Sequence, residues 1–316
     1  MKLAFVFPGQ GSQYVGMGVE LCRDHEEARE VFRLANDVLG FPLSSICFHG
    51  PAEELVQNDI IQPAVVTASL AAWQVLRNQG IEAEAVAGLS VGEYAALVAA
   101  EALDMKSALK LVHTRGRIMR ETLPPGVGGM LAVIGLERVQ VEAACKEASE
   151  VGIAEPANYN CPGQIVVGGE MRALEAVESI AKRMGARKVV RVAMSSPSHC
   201  SLLNEAASRL SQELERTEIH DPRVSFYSSV DGRLLRRATE IRHNLSRQLC
   251  HPVMWEDVIY SMERDGVTHI VELGPGRTLS GFIKRTSKRI RVLNVEDAKS
   301  LRETLAVIAE AREEAS

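Results

Sequence analysis

Aromatic residues make up only 4% of the 316-residue chain, too few for the stacking platforms that carry single-stranded nucleic acid. Positive charge is not in excess either. Thirty-six Lys and Arg stand against 41 Asp and Glu, a formal net charge of -5, which argues against a phosphate-seeking surface over the whole molecule. An acidic partner would need a local basic patch. The six cysteines (Cys22, Cys47, Cys145, Cys161, Cys200 and Cys250) contain no Cys-x-x-Cys pair, so neither a disulfide framework nor a zinc-ligand spacing is expected. No apolar run reads as a membrane span. The apolar start, Met1 to Phe7, meets Pro8-Gly9 too soon for a signal peptide. No repeat or low-complexity tract is visible. The expectation is a cytoplasmic protein with no membrane and no nucleic-acid partner.

What is present is ordinary globular material, 46% hydrophobic and 24% charged, long enough to bury a large core. Short apolar runs at Lys2 to Phe7 and Ala85 to Gly88 alternate with helical patterns at Glu26 to Val38, Pro63 to Gln79 and Met105 to Glu121. That alternation predicts a parallel α/β sheet. The middle differs. A strand (Gly129 to Ile134), a helix (Arg138 to Glu150), strands at Gly152 to Tyr159 and Gln164 to Gly168, a helix (Met171 to Met184) and a strand (Arg187 to Ala193) give the order βαββαβ. This is the ferredoxin-like order. Breaks at Pro124-Pro125-Gly126 and Ser195-Ser196-Pro197 predict an inserted subdomain over 126–196, within a discontinuous domain of 1–125 and 197–316. Beyond it come helices at Ser201 to Arg216, Thr239 to Leu249 and Trp255 to Arg264, and strands at Val224 to Ser228, Thr268 to Leu273 and Ile290 to Val295. A loop at Gly274-Pro275-Gly276 and a closing helix from Lys299 complete the pattern.

Gly88-Leu89-Ser90-Val91-Gly92 is a G-x-S-x-G pattern between a strand and the helix former Glu93 to Ala100. A serine on such a turn needs small neighbours two residues to either side, because the backbone doubles back there. The helix N-terminus beneath it favours developing negative charge, and the Val91 amide becomes one oxyanion donor. A glycine-flanked surface turn is the plain alternative, but the flanking strand and helix favour a nucleophile.

A nucleophilic serine needs a base. His25, His220 and His243 lie in charged stretches, and His49 and His269 lie near breaks or strand edges. His113, on a helical face beside Arg115, can be core or surface. His199 ends the insert at Pro197-Ser198-His199, where the chain re-enters the main domain. Chemistry alone makes His199 a candidate base and leaves the choice open.

These residues bring a resemblance with them. The chain resembles the malonyl-CoA:acyl-carrier-protein transacylases and, more broadly, the acyltransferase domains of fatty acid and polyketide synthases. The similar stretches are Phe7-Pro8-Gly9-Gln10-Gly11-Ser12-Gln13, Gly88 to Tyr94, Arg115-Gly116-Arg117, Asn158 to Gln164, Ser196-Pro197-Ser198-His199 and Glu272-Leu273-Gly274-Pro275-Gly276, in the family's order across nearly the whole chain. The fold implied is an α/β-hydrolase-like domain with a ferredoxin-like insert.

The resemblance implies that Ser90 is the nucleophile, His199 its general base, and the main-chain carbonyl of Gln248 the group that orients the imidazole. An exposed helical amide is the plain alternative for Gln248. The Gln10 amide would be the second oxyanion donor beside Val91. Gly9-Gln10-Gly11-Ser12-Gln13 lacks the lysine of a P-loop and the third glycine of a dinucleotide fingerprint. Arg115 would grip the malonyl carboxylate through its guanidinium fork; otherwise it is one arginine of a basic helix with Arg117 and Arg120. The expected partners are malonyl-CoA and an acyl carrier protein, whose own phosphopantetheine supplies the thiol, so no bound cofactor or metal is expected. A monomer is expected. Carrier proteins are generally acidic, and Arg183, Arg187, Lys188 and Arg191, or Lys284, Arg285, Lys288 and Arg289, could receive one; both clusters also read as solvated faces, the simpler interpretation. Rival readings are a thioester hydrolase, a malonyl-transferring subunit of a malonate decarboxylase, and a non-enzymatic carrier-protein scaffold. Leu89 stands where many relatives carry His, Val91 where leucine is commoner, and His251 where Asn is frequent before a proline.

Overall fold

A computed structural model of the chain describes residues 1–124, 126–192 and 196–313. Pro125, Ala193 and Ser195, at the two expected breaks and the expected end of a strand, lie outside them. The first strand, β1 (Leu3–Phe7), is followed by four helices, α1 (Val19–Asp24), α2 (Glu26–Leu39), α3 (Leu43–His49) and α4 (Asn58–Asn78). Next come β2 (Ala85–Gly88), α5 (Gly92–Ala99) and α6 (Met105–Thr122). The middle segment holds β3 (Gly128–Ile134), α7 (Arg138–Ala148), β4 (Ala154–Cys161), β5 (Gln164–Glu170), α8 (Met171–Arg183) and β6 (Lys188–Arg191). The chain continues with α9 (Asn204–Glu215), β7 (Ser225–Ser228), β8 (Arg233–Leu235), α10 (Ala238–Arg247), α11 (Trp255–Arg264), β9 (His269–Leu273), α12 (Thr278–Thr286), β10 (Arg291–Val295) and α13 (Ala298–Glu313).

Two sheets result. The larger has the order β10-β9-β1-β2-β7-β8; every neighbouring pair is parallel except β7 and β8. Strands β1, β2 and β9 are almost wholly buried, as parallel strands covered by helices on both faces are. The smaller sheet has the order β4-β5-β3-β6, all antiparallel, which is the ferredoxin-like arrangement for the βαββαβ order. The sides of β3 alternate as a strand must: Leu131 and Val133 pack in the core under α7 and α8. Met130 and Ala132 face the other way, lining a cleft with the segments that follow β1 and β2 and with α12.

The structure corrects several expectations. Helix α4 begins at Asn58 rather than Pro63, so the proline lies inside it. A proline has no N–H for the carbonyl four residues back; here that carbonyl, on Asp59, receives His113 Nδ1 at 2.8 Å instead. Strand β4 runs two residues further than expected because the turn to β5 is confined to Pro162 and Gly163. Helices α1, α3 and α12 and the antiparallel edge strand β8 were not foreseen, and residues 201–203 and 248–250 are 3-10 turns rather than helix ends. By length and composition α4 could also cross a membrane, yet 89% of its most apolar window is buried inside the protein.

Candidate active site

The site forms where β1 and β2 end. Ser90 follows β2 with φ +54°, the left-handed region that a non-glycine residue enters at a cost of about 1–3 kcal/mol. Sterics around it explain the flanking glycines. A Cβ on Gly88 would lie 2.0 Å from the Gly92 carbonyl carbon, and one on Gly92 would lie 2.2 Å from the Phe7 carbonyl oxygen. The turn is therefore pressed against the end of β1 and presents Ser90 above the sheet edge.

His199 lies opposite, also left-handed at φ +60°, with its main-chain N–H bonded to the Leu249 carbonyl at 2.8 Å. Its Nε2 is 2.7 Å from Ser90 Oγ and its Nδ1 is 2.9 Å from the Gln248 carbonyl oxygen. A carbonyl can only accept, so Nδ1 carries the proton and Nε2 offers a lone pair to the serine hydroxyl. Burial, reinforced by the nearby Arg115 charge, pushes the imidazole down from 6.5 to about 4. It is a neutral base at neutral pH. Gln248 is buried in the 3-10 turn after α10, not exposed on a helix. Of the histidines weighed as base, His113 is occupied by the Asp59 carbonyl and lies tilted against Phe41.

Arg115 projects from α6, whose N-terminus is capped by Asp104 accepting from the Ser107 N–H. The next residue, Gly116, lets α6 approach α4, since a Cβ there would lie 2.1 Å from the Asn58 carbonyl oxygen. The guanidinium is 2% exposed. Nη1 donates to Gln62 Oε1 at 2.7 Å, and Nη2 donates to Ser90 Oγ and Gln248 Oε1, each at 3.1 Å. These oxygen partners are all neutral. No carboxylate of the described residues touches the guanidinium directly, burying a cation in that state is costly, and burial outweighs the nearby Glu93 charge to lower its proton affinity. Such a group is set to receive an anion.

A cavity of about 60 Å³ joins these groups: Gln10, Leu89, Ser90, Arg115, Met119, Met130, Asn158, Ser198 and His199 line it. It shares Gln10, Leu89, Met130 and Asn158 with an outer cleft of about 210 Å³ that reaches Thr278, Leu279 and Phe282 of α12. The amides of Gln10 and Val91 donate to no described residue. The Gln10 side chain donates to Asn58 Oδ1 at 3.0 Å. Ser90, His199, Gln248, Arg115, Gln10 and Val91 are thus all brought to one end of the large sheet.

Sequence reading gave no role to Gln62, Met119, Met130 or Glu93. Gln62 was hidden by the proline after it. Glu93 could have been found: it is the sole charged residue in an otherwise apolar helix, and a helix apolar on all sides is buried.

The acyl transferase domain family model matches residues 4–306. The malonyl CoA-acyl carrier protein transacylase of Haemophilus influenzae is 40% identical over 301 residues, 95% of this chain and 96% of that protein. The crystal structure of the malonyl CoA-acyl carrier protein transacylase from Clostridium perfringens superposes with a TM-score of 0.96 at 39% identity, covering 100% of this chain and 99% of that one. A malonyl-transacylase solved in complex with a type II PKS acyl-carrier protein gives a TM-score of 0.93 at 40% identity, over 95% of this chain and 98% of that one.

Proposed function

This chain belongs to the acyl transferase domain family, and from that premise we propose that it transfers a malonyl group from malonyl-CoA to the phosphopantetheine thiol of an acyl carrier protein. The observation that carries this reading is the buried Arg115 guanidinium, held by neutral oxygens at 3.1 Å from the nucleophile. A malonyl group carries a carboxylate on the carbon next to its thioester carbonyl. Two parallel hydrogen bonds from the guanidinium fit that group, whereas an acetyl group leaves the charge unpaired.

The transfer runs in two halves. His199 Nε2 takes the hydroxyl proton as Ser90 Oγ attacks the thioester carbonyl. The oxyanion rests on the Gln10 and Val91 amides, each such donor being worth about 3–4 kcal/mol. The C–S bond breaks, and CoA leaves with the proton from the imidazolium. In the second half the carrier's thiol gives its proton to His199 and attacks the malonyl ester. Ser90 Oγ leaves and recovers that proton. The Gln248 carbonyl holds the imidazole tautomer through both halves while stabilising an imidazolium less than a carboxylate would.

The reaction as proposed uses no resident cofactor or metal, since the CoA thioester is a substrate and the phosphopantetheine belongs to the partner. One chain supplies every group, so a monomer suffices. The separate sheets support a division at 126–196, with 1–125 and 197–316 as the catalytic body. A cytoplasmic setting belongs to the same reading and is supported by six free cysteine thiols. We propose that the carrier docks at α12, a reading supported by Phe282, which lines the outer cleft, and by Arg285, which lies over its ring at 5.5 Å. Arg183 and Arg191 on the insert instead pair with Glu147, Glu175 and Glu178.

A competition assay tests the reading: malonyl-, methylmalonyl- and acetyl-CoA offered together with a purified carrier protein. Malonyl-carrier should dominate the products; acetyl-carrier in comparable amount would remove the carboxylate argument.

A further inference from the structure

Glu93, the second residue of α5, is fully buried. Its Oε1 accepts the Ser229 N–H and its Oε2 accepts from Gln248 Nε2. Both oxygens therefore act as acceptors, the pattern of an ionised carboxylate, while burial pushes the group up to about 7 against the hydrogen bonds from Ser229 and Gln248 that favour its charge. The same Gln248 amide nitrogen donates to the Ser90 carbonyl at 3.0 Å, and the amide oxygen accepts from Arg115 Nη2 at 3.1 Å. An amide has donors at one end and an acceptor at the other. With Glu93 and the Ser90 carbonyl on its nitrogen side, Gln248 must turn its oxygen to the guanidinium. Reversed, it would press an NH2 group against a buried cation.

We propose that Glu93 is a positioning residue of the transfer reaction, acting through Gln248: its carboxylate fixes the amide so that Arg115 is held ready for the acyl carboxylate. This rests on the reading that Arg115 receives the malonyl carboxylate. Glu93 also lies three residues after the nucleophile, so one carboxylate ties the serine turn, the turn carrying Gln248 and the end of the neighbouring strand β7 together. A Glu93→Gln change keeps the shape but not the pattern. The Ser229 N–H is fixed main chain and claims the new amide's oxygen. The new NH2 then faces Gln248 Nε2 and drives Gln248 to reverse toward Arg115.

The test measures acyl-enzyme formation, as kcat/KM for malonyl-CoA and acetyl-CoA, in the wild type, Glu93→Gln, Gln248→Ala, the double variant and Arg115→Ala. Glu93→Gln should lower the malonyl value roughly tenfold or more, as when a hydrogen bond to a charged group is lost, with the acetyl value little changed. Gln248→Ala should lower the malonyl-to-acetyl ratio similarly, and the double variant should be no worse than Gln248→Ala, since both act through one contact. A wild-type ratio in Glu93→Gln, or losses that multiply in the double variant, overturns the proposal. If Glu93→Gln does not fold, Gln248→Ala decides alone: an unchanged ratio there removes the relay. Failure of the underlying reading is distinct, because wild type and Arg115→Ala would then share one ratio.

Discussion

Arg115 Nη2 lies 3.1 Å from Ser90 Oγ, while His199 Nε2 lies 2.7 Å from the same oxygen on the other hand. The resting hydroxyl gives its proton toward the imidazole and accepts a hydrogen bond from the guanidinium. That cation favours an alkoxide at Ser90 and disfavours an imidazolium at His199. Binding an acyl carboxylate changes both effects at once, because the anion offsets the charge. On the proposed reading, substrate recognition and base strength are coupled through one arginine.

The Arg115→Ala variant should therefore lose malonyl transfer roughly a hundredfold or more, the scale of leaving a buried charge without its partner. Acetyl transfer, which uses no carboxylate contact, should fall far less. Acylation rates with the two CoA esters measure this directly, and equal losses would show that the guanidinium does not read the carboxylate.

The pH dependence follows from His199. Its folded value of about 4 lies below the ordinary 6.5, so the base remains unprotonated as pH falls from neutrality. The acid limb of kcat/KM for malonyl-CoA should therefore have its midpoint at about 4. Once malonyl offsets the Arg115 charge, the imidazole is easier to protonate, so the limb of kcat should sit at higher pH. Single-turnover acylation across the acid range checks both. Coincident limbs near 6.5 would mean a base in ordinary solvent.

Lys284 and Arg285 enter no ion pair with a described residue, and Arg285 stands over the Phe282 wall of the outer cleft. Reversing both charges (Lys284→Glu with Arg285→Glu) should raise KM for an acidic carrier protein several-fold, and less so at high salt. Transfer to free pantetheine, the same thiol without a protein, should be unchanged. An unaltered carrier KM would move the docking surface elsewhere.

Much of this was legible in the chain because some constraints are steric. The Gly88-x-Ser90-x-Gly92 turn is written in residue types, since Gly92 touches the Phe7 carbonyl and nothing larger fits. The βαββαβ order was readable from periodicity alone. Gln248 was not readable from the residues themselves, because its main-chain carbonyl orients His199 and a carbonyl leaves no mark on residue type. The start of α4 was misplaced because Pro63 resembles a first-turn proline. Its lost hydrogen bond is compensated from α6 by His113, a partner 50 positions downstream in the sequence. Helix α12 was hidden behind Gly274-Pro275-Gly276. Its N-terminus is tied down by Glu272, which accepts from the Leu279 and Ser280 amides at 3.0 and 2.7 Å. A cap that reaches across a seven-residue gap lies outside the usual N-cap positions.

Intact-mass spectrometry after incubation with malonyl-CoA probes the Ser90 ester itself. The wild-type chain should gain a single malonyl unit and surrender it to carrier thiol, and Ser90→Ala should gain none. The same adduct on Ser90→Ala would contradict the account.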